Sequence, residues 1–397
     1  MQDRRRTAVL GAIVVLGGML MATSGLAQRG GRGGGGAAAL AEPFTGVTTG
    51  GTVVPNLFPI RATGVSTRPV KEAAEQFLAT LSDDERRRTS FAVDATEWRD
   101  WNNVHRYARQ GVSFQELTEP KREAAFALMR ASLSAKGFEK SRDIMRLNGY
   151  VAEVLNNPEE YGEFLYHLTV MGRPHDTEPW GWQLDGHHLI INYFVMGDQV
   201  VMTPTFMGSE PVSADRGPSA GIRVLEPEER LGLAFASSLT TEQRARAVIA
   251  TSKTANNALA QAFRDNLVLD YAGIRGDALT SAQRQQLLAL VGEYVRDMRD
   301  GHAEVRLAEV EATLNETYFA WIGEIDPEAV FYYRIHSPVI LIEFDHQTPV
   351  AFRGRGPGGP GRAHVHTVVR TPNGNDYGKD LLRQHYEAFA NDPSHGH

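Results

Sequence analysis

The feature that most restricts the fold is internal repetition: the second half of the chain restates the first. Leu81-Ser82-Asp83-Asp84-Glu85-Arg86 recurs as Leu239-Thr240-Thr241-Glu242-Gln243-Arg244. Tyr107-Ala108, Leu117-Thr118 and Arg122 recur, in the same order, as Tyr271-Ala272, Leu279-Thr280 and Arg284. The stretch Trp182 to Tyr193 then aligns without a gap on Tyr333 to Phe344. Capped helices look alike, so one match says little. The shared order of all of them reads as a tandem duplication. Equivalent strands of the two units are then expected to meet at a shared axis.

Each unit carries helix signals followed by strand signals. Val70 to Leu81 has apolar residues at helical spacing. Ser82 with Glu85 three residues on has the form of a capping box. Thr118 caps a helix with Pro120 in its first turn; the helix runs to about Ala135 and stops at Gly137. A further helix is predicted from Phe138 to Leu155, ended by Asn156-Asn157-Pro158, and Tyr161 to Met171 reads as a strand. Trp180 to Gly186 leads to the adjacent histidines His187 and His188. A β-branched and aromatic run follows to Met196, and Gly197-Asp198 is a hairpin turn before the strand from Gln199 to Thr203. After Pro349 comes a Gly/Pro/Arg loop over 351–362, then a strand from Ala363 to Arg370, turn residues, and an amphipathic helix from Lys379 to Phe389. The expected fold is α+β: tandem-duplicated helix-plus-β-hairpin units with pseudo-twofold symmetry, 69–215 and 216–350, closed by a C-terminal strand and helix within 363–397.

The leading residues set the compartment. Arg4-Arg5-Arg6, an apolar run broken by glycines, and Gly25-Leu26-Ala27 read as a signal peptide over 1–27. Its glycines and small-residue end favour cleavage over retention as an anchor, which needs about 20 apolar residues. The protein is therefore expected to be exported, periplasmic or extracellular, with no stable membrane span after processing. Residues 28–68 read as a low-complexity tether followed by an extended arm. A net charge of −7 argues against a nucleic-acid partner, which would usually meet a basic face, though it leaves room for a local basic patch. The chain has no cysteine, which removes disulfides, thiolate ligands and cysteine nucleophiles. Any metal site must then be built from His, Asp and Glu.

Such residues gather in four places. Asp185, His187, His188 and Asn192 form the first group; His336, Glu343, Asp345 and His346 form the second, in the matching strand of the other unit. His346 sits where a turn is expected and reads as exposed. His364-Val365-His366 is the third group: residues two apart on a strand share a face, so the two imidazoles project side by side. Asp376, Tyr377 and His385 belong to the fourth. A lone strand histidine is more often a hydrogen-bonded structural residue than a ligand; the paired spacing raises His364 and His366 above that expectation. Trp180, Trp182, Arg334 and Tyr377 are the candidates for substrate contact. No P-loop, dinucleotide fingerprint, Gly-x-Ser-x-Gly elbow or His-Glu-x-x-His occurs, so no nucleotide cofactor is expected.

The Trp182-to-Asn192 stretch with Gly186-His187-His188, the pieces Tyr333-Arg334-Ile335-His336 and Ile342-Glu343-Phe344, and His364-Val365-His366 with Asn375-Asp376-Tyr377-Gly378 and His385 resemble a secreted family of unknown function, DUF3500. The resemblance implies membership and no activity.

Three functions fit the residues. The first is a metal-dependent hydrolase, with Zn or Mn in first place, His364 and His366 as ligands with His188 or His336, His385 as a further ligand, and Glu343 or Asp376 as ligand or general base. The second is a non-catalytic protein binding a small molecule, sugar or peptide in an aromatic cleft. The third is copper-dependent oxidation. Oligomeric state is not legible in the sequence.

Overall fold

The computed structural model describes residues 34–354 and 358–389. The signal segment and the start of the tether lie outside them. The first part of the chain runs α1 (Gly34–Ala41), α2 (Arg68–Thr80), α3 (Asp83–Thr89), β1 (Ser90–Phe91), β2 (Val112–Ser113), α4 (Glu119–Ser132), α5 (Ala135–Leu155), β3 (Tyr166–Met171), β4 (Trp180–Gly186), β5 (Leu189–Met196), β6 (Gln199–Val201) and β7 (Thr205–Ser209). The second part runs α6 (Glu226–Ser238), α7 (Thr241–Ala247), β8 (Val248–Ala250), β9 (Ile274–Arg275), α8 (Ser281–Val295), α9 (Asp300–Ala312), β10 (Tyr318–Gly323), β11 (Phe331–His336), β12 (Leu341–Gln347), β13 (Gly361–Arg370) and α10 (Lys379–Phe389). The class is α+β. No described helix is long and apolar enough to cross a membrane.

The local signals act as their chemistry dictates. Ser82, Thr240 and Thr280 each close a capping box with the residue three positions on. Gly137 does not stop a helix. Ser134 caps α5 by accepting from Gly137 N, and Gly137 sits in the first turn because the Asp297 backbone packs there; a Cβ would lie 2.2 Å from Asp297 O. Residues 34–41, expected in the tether, form α1, and Arg99 donates to its Ala39 carbonyl. Residues 42–67 run as the expected arm over the body; Thr63 N and Gly64 N, for example, donate to Asp198 in the β5–β6 turn.

One sheet holds all the strands. Its order is β1-β3-β4-β5-β7-β13-β12-β11-β10-β8, with β2 added on β3, β6 on β5 and β9 on β10. Outward from the central β7–β13 pair the two sides run alike, and the outermost pairings, β1 with β3 and β8 with β10, are both parallel. The two long hairpins share a register: Trp182 pairs with Tyr193 and Gln183 with Asn192, while Tyr333 pairs with Phe344 and Arg334 with Glu343.

Directly opposed residues share a face of a sheet, so the register sorts the side chains. Trp182 and Tyr193 stack on one face, as do Tyr333 and Phe344. Helices cover that face: Trp182 Nε1 donates to Ser132 Oγ of α4, and Tyr333 OH donates to the Glu228 carbonyl of α6. The other face carries Gln183, Asp185, Asn192, Tyr332, Arg334, Glu343, Asp345 and His366. Two irregular segments, between β1 and β2 and between β8 and β9, lie over it and offer backbone groups to the polar side chains. Gln183 Nε2 donates to Trp98 O, and Arg334 donates to Asp270 O. The candidate chemistry is therefore gathered on one side of the sheet, under loops, as expected for functional residues held by a rigid scaffold.

Candidate metal centre

Three histidines converge on the loop-covered face. His187 and His188 are the two residues of the β4–β5 turn, since Gly186 and Leu189 still pair across it. His188 takes a left-handed conformation at φ 63°, uncommon for a residue with a side chain and worth reading as a functional constraint. Its carbonyl accepts from Gly208 N of β7. Beyond β7 lies β13, where His366 pairs with Gly208. The nonlocal strand order thus places the first unit's turn beside the last strand. Gly208 makes the approach feasible: a Cβ there would sit 3.2 Å from both His188 Cδ2 and His366 Cδ2.

The ring nitrogens meet tip to tip. His188 Nε2 is 3.2 Å from His364 Nε2 and 3.1 Å from His366 Nε2, and the last two are 3.0 Å apart. A tetrahedral ion about 2.0–2.1 Å from each nitrogen would space them about 3.3 Å apart. The far nitrogens are held by oxygen: His364 Nδ1 is 2.9 Å from Thr348 O, and His366 Nδ1 is 3.2 Å from Gln261 Oε1. A carbonyl only accepts, so these contacts put the proton on Nδ1 and leave the lone pair on Nε2. His364 and His366 then face each other lone pair to lone pair, an arrangement with no hydrogen bond in it. Burial, and then the neighbouring imidazoles, hold the His188 and His366 rings well below the ordinary histidine range; burial lowers His364 as well, against the Glu210 carboxylate. Neutral rings with converging lone pairs can hold a metal ion, and among the described residues this is the group of three His, Cys, Asp or Glu side chains that does so.

The surroundings fix the triad. His187 stacks on His188 with ring centres 3.9 Å apart, and its Nδ1 lies 2.8 Å from Asn148 Oδ1. Glu210 is 3.5 Å from His364 Nδ1 and accepts backbone N–H bonds from Val350, Ala351 and Phe352. Asn103, Gln261, Gly208 and Glu210 carry no sequence motif. Only the glycine inside a strand was a signal of close approach.

The remaining sequence candidates lie elsewhere. His336 is buried beside Tyr271, ring centres 4.6 Å apart, outside the triad. His385 Nε2 is 3.3 Å from Glu178 Oε2. His346 is fully buried rather than exposed, because β12 continues through Gln347; its Nδ1 accepts from Phe331 N. Glu343 accepts from Leu259 N, Ala260 N and Tyr332 OH. Asp376 pairs with Arg370 at 3.0 Å and accepts from Thr371 N at 2.7 Å. Tyr377 OH donates to Asp265 and accepts from Trp101 Nε1. Arg334 is buried over the same face and donates to Asp270 O at 3.1 Å. Trp180 and Trp182 are wholly buried and point into protein, toward His175 O and Ser132 Oγ. An enclosed cavity of about 60 Å³ lies on the helix-covered face, between Met207, Thr367 and Val369 of the sheet and Met298 and His302, and is distinct from the triad.

No curated protein and no solved structure matches this chain. The family model described as protein of unknown function (DUF3500) matches residues 63–379. That span contains every strand of the sheet and all three converging histidines, and the chain belongs to this family.

Proposed function

We propose that the protein is exported and acts as a metal-dependent hydrolase whose centre is His188, His364 and His366. One observation carries the reading: the His364 and His366 Nε2 lone pairs face each other at 3.0 Å with both protons engaged elsewhere. A cation between them relieves that contact. Three imidazoles with no carboxylate suit Zn better than Mn, which favours oxygen donors. Zn held by His188, His364 and His366 would keep one position open and would supply an activated water there for hydrolysis of a carbonyl or phosphoryl centre. The polar, loop-covered side of the sheet would receive a small-molecule, sugar or peptide substrate.

The all-nitrogen donor set favours a second reading, copper-dependent oxidation, since imidazole suits Cu equally. Elemental analysis of protein purified from its native host separates them. Stoichiometric Zn with hydrolysis of ester or amide probes, abolished by a chelator and restored by Zn, is the expected result. Stoichiometric Cu favours oxidation. Failure to bind Zn, Mn or Cu at any ratio overturns the metal centre.

We also read the two units as a tandem duplication. The matched hairpin registers and the like order of strands on both sides of β7–β13 support it. An experimental structure in which Trp182–Tyr193 does not superpose on Tyr333–Phe344 would sink it.

A further inference from the structure

The segment from Asn257 to Gln261 forms one wall of the metal centre and is gripped in an unusual way. Four successive backbone N–H groups end on two strand carboxylates. Asn257 N and Ala258 N donate to Asp345 Oδ2 at 2.6 and 2.8 Å. Leu259 N donates to both Glu343 oxygens at 3.0 Å, and Ala260 N donates to Oε2 at 2.8 Å. Lys253 pairs with Asp345 at 2.9 Å, and Tyr332 OH donates to Glu343 at 2.6 Å. Both carboxylates are wholly buried. The next residue is Gln261. Its Oε1 meets His366 Nδ1 at 3.2 Å and Asn103 Nδ2 at 3.4 Å, and Arg370 donates to its carbonyl at 2.9 Å.

We infer that Gln261 is the positioning residue of His366, and that Glu343 and Asp345 set it in place by holding the four amides before it. The inference rests on the metal-centre reading. Accepting the Nδ1 proton fixes the tautomer and the rotation of the ring, so that Nε2 keeps its lone pair toward His188 and His364. Four amide hydrogen bonds in a row onto two wholly buried carboxyl groups leave the loop one register. The acids of β12 thus serve the centre through a loop. They lie outside the ligand group itself. His364 has the corresponding support directly from the Thr348 carbonyl.

The test is Zn affinity of the full chain, measured by competition with a chelating indicator, beside thermal unfolding of the metal-free protein. Gln261→Ala should weaken Zn binding about 10–100-fold, as loss of an outer partner of a ligating histidine does, with little change in metal-free unfolding. Gln261→Glu should restore binding, because its carboxylate accepts the same proton. Glu343→Ala should weaken binding as well and lower the unfolding midpoint; should it fail to fold, the two Gln261 variants decide alone. Gln261→Ala binding within about twofold of the parent, with the parent binding one Zn, overturns the inference and leaves the metal centre standing. A parent chain that binds none of Zn, Mn and Cu overturns both.

Discussion

Two histidines of the triad, His364 and His366, share strand β13 and one face of it with Arg370, yet the two clusters are built on opposite terms. Arg370 is wholly buried and fully answered: its Nη1 meets Asp265 at 2.8 Å and Asp376 at 3.0 Å, and its Nε donates to Ala260 O at 2.7 Å. Three residues, Thr367, Val368 and Val369, separate it from His366. There the His364 and His366 Nε2 lone pairs face each other, and neither can donate to the other. Closed polar networks stabilise and specify a fold. A buried group whose partners are missing calls for a ligand or a functional account. The difference teaches that burial and polarity alone do not mark a site; convergence without satisfaction does.

The comparison breaks first at Arg370. Arg370→Met leaves Asp376 buried without its cation, while Asp265 keeps Arg99 at 2.9 Å, and removal of one partner of a buried pair costs about 3–5 kcal/mol. Urea unfolding of the metal-free protein measures it. A loss under about 1 kcal/mol would mean the cluster is not structural.

The triad should respond the other way. His364→Ala with His366→Ala removes bound Zn and alters metal-free stability by about 1–2 kcal/mol at most, the worth of the two Nδ1 bonds. Zn at about 100 times its Kd should stabilise the parent by about 2.7 kcal/mol and the double variant not at all. Equal metal content in the two proteins would end the triad reading.

Gly208→Ala sharpens the geometry. The new Cβ would meet Val365 O at 2.7 Å and both imidazoles at 3.2 Å. Unfolding should cost about 1–3 kcal/mol, as for overpacking, and Zn should bind more weakly. Unchanged Zn affinity would show that the rings need not close this tightly.

The smallest effect is expected with pH. The triad rings are held below the ordinary histidine range by burial first. They are therefore neutral through the unfolded value of 6.5, and protons compete with Zn only below it. Zn affinity should change less than about threefold between pH 7.5 and pH 6, where three ordinary histidines would lose about fiftyfold. On the folding side the sign is also fixed. Depressed rings add stability above 6.5 that is lost as pH falls, because the unfolded chain takes up protons first.

Much of this was legible and some was not, for identifiable reasons. The spacing of His364 and His366 fixes a shared face wherever the strand lies, and the structure keeps it. His188 could be named, but not chosen over His187, because that choice depends on the turn conformation. The gapless match of Trp182–Tyr193 with Tyr333–Phe344 carries the hairpin register residue by residue. Nothing local says that β13 lies beside β7, so neither the place of His336 in the matching strand nor that of His385 near the chain end tells them from the histidines that meet. Glu343 is held by the backbone N–H groups of Leu259 and Ala260, more than eighty residues away, and Asp376 by Arg370 and Thr371 N across a turn, partners that no periodicity displays.

The triad joins positions 176 and 178 residues apart in a chain without cysteine. An ion seated there would be a reversible staple. Closing a loop of a hundred residues or more withdraws about 4–5 kcal/mol of freedom from the denatured chain in the entropic account of cross-links. Chelation would then do more than silence a reaction: it would cut the knot between the first hairpin and the last strand, and leave the long span between them open to proteases that the loaded protein resists.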